Sequence, residues 1–191
     1  MKIVPTALPG CYQIVTDIRR DERGSFVKVF HEETFRRHGL ATGFAEEYYS
    51  TSRRGVIRGL HFQTPPHDHA KLVYCVQGAV LDAALDLRRG SPTYGRHITL
   101  ELSAENGHML YLPAGLAHGF CSLSAQSLMV YKVTSAYAPD NDGGVLWNSA
   151  GIAWPAQEPV MSARDRTFPT LAQFDTPFVY AAPGDAAGAP A

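Results

Sequence analysis

Residues 107–118 read Gly107-His-Met-Leu-Tyr-Leu-Pro113-Ala-Gly115-Leu-Ala-His118. The apolar run HMLYL is short and is bounded by a glycine and a proline, as a β-strand set between turns would be. Segments of the same kind lie on both sides of it: CYQIVTDI (11–18), GSFVKVF (24–30), KLVYCVQGAVLDAALDL (71–87), HITLEL (97–102) and SLMVYKVT (127–134). Turn-forming stretches separate them, RRDERG (19–24), RRGSPTYG (88–95), SAENG (103–107) and APDNDGG (138–144). No helical periodicity competes over this core, so the fold class is all-β, a sandwich or barrel.

One helix is predicted in HEETFRRHGL (31–40), where Phe35 and Leu40 can face inward, Glu32 and Glu33 favour the first turn and Gly39 lies near the end. From about Ala156 the pattern loosens. MSARDRTFPTLAQF (161–174) is expected to wrap back as a short helix, and AAPGDAAGAPA (181–191) to be a disordered tail. With no internal repeat and no interior linker, residues 1–180 read as a single domain.

A chain of 191 residues supports one sizeable core. Its 17 basic and 18 acidic residues leave no basic footprint for nucleic acid, although a few arginines can still surround a phosphate-bearing small molecule. No apolar run approaches the roughly 20 residues that a bilayer crossing needs, and MKIVPTALPG lacks a signal-peptide pattern. The expectation is a cytoplasmic protein with no membrane partner. Cys11, Cys75 and Cys121 are odd in number and widely spaced, which fits reduced, buried thiols.

The stretch RGLHFQTPPHDHAK (58–71) places three of the eight histidines within nine residues. His67 and His69 form an HxH pair, whose rings would share one face of a strand. Residues 107–118 match the second cupin motif, G(x)5PxG(x)2H, and bring in His118. The first motif, G(x)5HxH(x)3-4E(x)6G, is met only in part: the pair and Gly78 are present, but the carboxylate position falls at Val73 or Tyr74. Two readings stand side by side, a metal site of His67, His69 and His118, and a polar turn after Pro65-Pro66 with solvated imidazoles. On either, the resemblance to cupins implies a double-sheet jelly roll.

A more specific resemblance covers most of the chain. DERGSF (21–26), RGVIRGLHFQ (54–63), AKLVYCVQGAVLDAALDLRRGSPTYG (70–95), LSAENG (102–107), LPAGLAHGF (112–120), VYKVTSAYAP (130–139) and MSARDRTFP (161–169) stand in the order seen in the dTDP-4-dehydrorhamnose 3,5-epimerases. The chain resembles that family, whose members are metal-independent sugar-nucleotide epimerases of cupin fold. The resemblance implies no cofactor and no metal, a nucleoside-diphosphate 4-keto sugar as substrate, and a homodimer.

It also implies roles. His61 would remove the proton beside the sugar ketone, and Asp165 would hold its far ring nitrogen. An imidazole, with an ordinary pKa of about 6.5, suits a base at neutral pH. Tyr131 would return a proton from the opposite face, Lys71 would stabilise the enolate oxygen, and His118 would assist by hydrogen bonding. Asp82 is expected to partner one of these cations. Arg23 and Arg58 match positions that grip the diphosphate, while Phe26, Gln63 and Tyr137 match further substrate positions. Taken alone, each has a plainer reading: a core histidine, a packed strand tyrosine, a solvated arginine.

The chain departs from the family pattern where the nucleotide is read. Lys28 stands where DxRGxFxE has glutamate, and Glu46-Glu-Tyr-Tyr-Ser50 replaces a QDNHS-like stretch, so that Glu46 and Tyr48 meet the base or ribose in place of amides. Such swaps change the donors and acceptors offered to the base. They leave open a thymidine or a cytidine nucleotide, and inversion at one centre or two. Two other classes are a metal-dependent cupin oxygenase or isomerase, and a sugar-nucleotide binding cupin without turnover.

Overall fold

The computed structural model describes residues 1–181; all of the expected tail except Ala181 lies outside the described residues. In chain order the strands are β1 (Lys2–Pro5), β2 (Tyr12–Val15), β3 (Ile18–Asp21), β4 (Gly24–Val27), β5 (Glu46–Arg53), β6 (Ile57–Gln63) and β7 (Lys71–Gln77). There follow β8 (Ala79–Asp86), β9 (His97–Ser103), β10 (Met109–Leu112), β11 (Leu116–Ser122), β12 (Gln126–Val133) and β13 (Asp142–Gly144). A six-stranded sheet runs β1-β2-β10-β7-β12-β5 and a five-stranded sheet runs β13-β6-β11-β8-β9, while β3 and β4 form a separate hairpin. This is the double-sheet jelly roll that the 107–118 motif implied.

Alternation along the strands builds three apolar layers. On β7, Val73 and Cys75 face the interior with Val80, Ala84, Leu116 and Phe120 of the other sheet. Their neighbours Leu72 and Tyr74 face the opposite way, where α1 (Glu32–Arg37), the one α-helix among the described residues, covers them with Phe35, aided by Leu40. The outer side of the five-stranded sheet is covered in turn: Leu85, Leu87 and Phe62 pack against Val145, Ile152 and Phe178. A strand buried on both faces loses its polar alternation, which is why KLVYC reads as a continuous apolar run.

Several expectations need correction. The helix is shorter than 31–40, because Gly39 adopts φ of 67° and ends it. Residues 161–174 form no α-helix but two one-turn 3-10 helices, Arg164–Arg166 and Leu171–Gln173. RRDERG is not all turn, since Ile18–Asp21 pairs with Gly24–Val27, and APDNDGG contributes β13, which pairs with β6. Strands β5 and β6 escaped the pattern: EEYYSTSR is polar and lies at a sheet edge, and RGLH is interrupted by Gly59. The three cysteines are free and buried, and among the described residues no helix is long and apolar enough to cross a membrane.

Gly59 is where the fold shapes the site. His118 pairs with His61, but Phe120 pairs with Arg58, so β6 holds one more residue than β11 between the two pairs. That bulge lets Arg58 and His61, of opposite parity, line one cavity. A Cβ on Gly59 would lie 2.5 Å from Gly119 Cα and 2.7 Å from the His118 carbonyl, and its φ of 122° is open to glycine.

Candidate active site

Both sheets wall a cavity of about 380 Å³. From the six-stranded sheet come Glu46, Tyr48 and Ser50 at every second position of β5, Tyr131 and Val133 of β12, and Lys71 of β7. From the five-stranded sheet come Arg58 and His61 of β6, His118 and Phe120 of β11, and Asp142 of β13. Ser135, Tyr137 and Arg164 close the rim.

Asp165 holds His61 from behind. Its Oδ1 lies 2.9 Å from His61 Nε2 and accepts a hydrogen bond from Ser162 Oγ at 2.9 Å, while Oδ2 accepts the Gly59 N–H at 3.1 Å. Burial alone would raise the Asp165 pKa; the His61 hydrogen bond and charge, with the Gly59 and Ser162 donors, outweigh it and hold the carboxyl below its ordinary value. An ionised Asp165 accepts from Nε2–H, so in the neutral ring Nδ1 is the acceptor, and among the described residues it has no protein partner. Phe168 meets the ring edge to face at 5.7 Å and fixes its plane.

On the facing wall, Tyr131 is buried and its hydroxyl lies 3.0 Å from Ser50 Oγ. Tyr48 stacks on its ring at 5.0 Å, and His118 meets the ring edge-on at 6.0 Å. Burial pushes the phenol pKa well above its ordinary value, with Ser50 opposing, so the group keeps its proton. Tyr48 is pushed up to about 12, chiefly by burial.

Lys71 is buried and its Nζ donates to the His61 carbonyl at 3.1 Å. Burial pushes it down to about 8, against the pull of Asp142 and Asp82. Beneath, His118 Nε2 lies 2.7 Å from Asp82 Oδ2, both side chains sealed from solvent. Burial raises the Asp82 pKa and the His118 contact opposes it. Asp82 therefore partners His118, and among the described residues its Oδ1 has no hydrogen-bond partner.

The remaining expected residues divide. Gln63 reaches the cavity wall, but its amide is committed: Oε1 accepts the Ala138 N–H at 2.7 Å, and Nε2 donates to the His67 carbonyl at 2.8 Å. Arg58 is held by Ser52 Oγ and the Thr51 carbonyl, at 3.1 and 3.0 Å. Tyr137 is exposed at the rim, its N–H bound to Glu46 Oε1 at 3.0 Å. Arg23, Phe26 and Lys28 lie on or just past the β3–β4 hairpin and do not line the cavity: Arg23 pairs with Asp21, and Phe26 is 63% exposed. His67 and His69 lie in the loop before β7, not on a strand, and among the described residues no group of three or more His, Cys, Asp or Glu is placed to hold a metal ion.

A family model described as dTDP-4-dehydrorhamnose 3,5-epimerase matches residues 5–173. The chain belongs to the dTDP-4-dehydrorhamnose 3,5-epimerase family. It is 40% identical over 177 residues to the dTDP-4-dehydrorhamnose 3,5-epimerase of Salmonella typhimurium, covering 91% of this chain and 97% of that one. Among solved structures it resembles the Legionella pneumophila dTDP-6-deoxy-D-glucose-3,5-epimerase in complex with dTDP-4-keto-L-rhamnose, with a TM-score of 0.89 and 33% identity over 94% of this chain and 99% of that one. It also resembles a 3'-monoepimerase from Streptomyces bikiniensis in complex with dTDP-quinovose, with a TM-score of 0.85, 38% identity, and 89% and 88% coverage.

Within this epimerase fold, four polar cavity residues are not singled out by the sequence reading: Ser50, Ser135, Asp142 and Arg164. Ser50 follows Tyr48 by two positions on an exposed-looking edge strand, and period 2 could have found it. Arg164 precedes Asp165 and forms a 2.7 Å ion pair with Asp142, a residue hidden in a segment read as turn. Ser135 contacts the His67 carbonyl and the His69 ring, at 2.8 and 3.1 Å, and nothing in its local sequence announces that.

Proposed function

We propose that this epimerase inverts carbon 3, carbon 5 or both of a dTDP-linked 4-keto-6-deoxyhexose by proton transfer, with no cofactor or metal. One observation carries the reading: His61, anchored by Asp165, and Tyr131, anchored by Ser50, stand on opposing sheets around one cavity. A sugar between them has the base on one face and an acid on the other.

His61 Nδ1 takes the proton next to the ketone, and the electron pair moves into the carbonyl as an enolate. Lys71, whose ammonium has one protein acceptor among the described residues, meets the growing negative charge on oxygen. The Tyr131 hydroxyl delivers a proton to the opposite face, and the centre inverts. Asp82 and His118 support the Tyr131 ring from below. Arg58 and Arg164 face the rim as cations for the diphosphate. Glu46 and Tyr48 contact the nucleoside. The relatives' names specify dTDP sugars, which favours thymidine over cytidine.

Arg23 and Phe26 belong to this reading through a second copy of the chain. Their hairpin belongs to neither of the two sheets that wall the cavity and leaves an apolar ring in solvent, and a homodimer in which each hairpin reaches its partner would employ both residues and cover Phe26. Mixing Arg23→Ala with His61→Ala tests this. Subunit exchange should rebuild one intact site per mixed dimer and recover up to about a quarter of native activity; no recovery despite exchange refutes it. A cytoplasmic location, in keeping with three free thiols, completes the proposal.

The deciding experiment incubates the protein in heavy water with dTDP- and CDP-4-keto-6-deoxyglucose in parallel, with a chelator present. Deuterium gain at carbon 3, carbon 5 or both with the dTDP substrate is expected, and counts the centres. Faster gain with the CDP sugar would reassign the nucleotide, and no gain with either would overturn the reaction.

A further inference from the structure

Tyr48 and Tyr131 are direct cross-strand partners on β5 and β12. Their rings stack with centroids 5.0 Å apart and planes 18° from parallel. His118 meets the Tyr131 ring edge-on, at 6.0 Å and 76°. Ser50, two positions along β5 from Tyr48, lies 3.0 Å from the Tyr131 hydroxyl and is its one hydrogen-bond partner among the described residues. Either hydroxyl can donate in that pair; when Ser50 donates, the Tyr131 proton is left for the cavity.

These contacts fix different things. The phenolic oxygen lies on the axis about which the ring turns, so the Ser50 contact places the oxygen and leaves the ring free to turn. A phenol O–H stays in the plane of its ring, because an oxygen lone pair is conjugated with the ring. The plane therefore sets where the proton points. Stacked and edge-to-face pairs are both favoured aromatic geometries, and a ring held on a face by Tyr48 and on an edge by His118 has one plane.

We infer that Tyr48 is a positioning residue for the proposed acid: its ring face orients the Tyr131 O–H, and so raises the share of enolates that are reprotonated with inversion. The inference rests on the epimerase reading above. It adds a role separate from nucleoside contact, since the face laid on Tyr131 is closed to a nucleobase. Strand β5 is the end strand of its sheet and Tyr48 is 45% exposed, so this residue can change without emptying the core.

The test is the partition in heavy water, at initial rates, between deuterium gained with retention and deuterium gained with inversion. That ratio belongs to each folded molecule and does not depend on how much of a preparation is folded. In Tyr48→Ala, retained label per inversion should rise by about two- to tenfold, the range that an aromatic pair contributes. In Tyr48→Phe, which keeps the ring and drops the hydroxyl, the ratio should be native even where KM changes. Tyr48→Ala added to Tyr131→Phe should leave the ratio of Tyr131→Phe unchanged, because a residue that acts through another has no effect once that group is gone. A native ratio in Tyr48→Ala would overturn the inference. So would equal defects in Tyr48→Ala and Tyr48→Phe, which assign the effect to the hydroxyl, or a rise of the same size in the Tyr131→Phe background. Absence of deuterium gain in the native protein would refute the epimerase reading itself, whereas inversion in the native protein with a native ratio in Tyr48→Ala would refute this inference alone.

Discussion

His61 and His118 are direct cross-strand partners, yet each imidazole gives its Nε2 to a different carboxylate, Asp165 at 2.9 Å and Asp82 at 2.7 Å. The His61 side chain is 31% exposed and the His118 side chain 4%. The same residue type, side by side, is placed in two settings: the accessible ring is the one proposed to reach a substrate carbon, and the sealed ring packs edge-on against Tyr131.

The Asp165 contact fixes the tautomer of His61, so Asp165→Asn should leave the fold in place and silence the base. An amide offers one acceptor to three donors, Gly59 N–H, Ser162 Oγ–H and His61 Nε2–H. His61 then turns its proton toward the cavity. A kcat loss of about 100- to 10,000-fold with a native circular dichroism spectrum is expected; unchanged kcat would remove Asp165 from the base.

Tyr131→Phe should uncouple exchange from inversion. His61 can still remove a proton and return a deuteron to the same face, whereas the opposite face has lost its donor. Incubation in heavy water should show label entering with retention while net epimerisation falls by about 100-fold or more. Parallel loss of both would place Tyr131 in the deprotonation step instead.

Lys71 sets an alkaline limit. Its pKa is pushed down to about 8 by burial, so the ammonium proposed to stabilise the enolate is lost as pH rises through that value. kcat should therefore fall above about pH 8. In Lys71→Arg the guanidinium stays charged across this range, and the alkaline fall should vanish even where the maximal rate is lower. A limb that persists unchanged in Lys71→Arg belongs to another group.

How much of this was legible in the sequence differs from residue to residue. Where a strand has one buried face or two, as in SLMVYKVT or KLVYCVQ, apolar content reveals it. Strand β6 carries the proposed base, His61, and β11 carries His118, and both contain a glycine at their point of closest approach, which blurs their strand pattern. His61 and Asp165 are 104 positions apart, and no periodicity joins them; the family resemblance placed them together in expectation. Arg23 and Phe26 lie outside the cavity of their own chain, and the partner's cavity that the proposed homodimer would bring to them is not encoded in any pattern within one subunit. His69 suggested metal through an HxH spacing that presumes a strand, and the Pro65-Pro66 loop removes that strand.

Away from the cavity, Asp86 tests what holds the scaffold. Its fully buried carboxylate binds Arg88 through two side-chain bonds, 2.9 Å to Nε and 2.8 Å to Nη2, and accepts from Ser91 and Thr93 at 2.6 and 2.7 Å. Burial alone would raise its pKa, but these donors outweigh it and the carboxyl lies below its ordinary value. A depressed carboxyl stabilises the fold above the unfolded pKa of about 4 and loses that contribution as pH falls through the folded value. Asp86→Ala leaves Arg88 buried without its counter-charge, at a cost of about 3–5 kcal/mol, which corresponds to a melting temperature lower by about 10 °C. The melting temperature of the variant should also change less between about pH 4 and more acid conditions than that of the native protein. Because Asp86 does not line the cavity, kcat measured well below the transition should remain native. An unchanged melting temperature would show that Arg88 finds water or another acceptor once the carboxylate is gone.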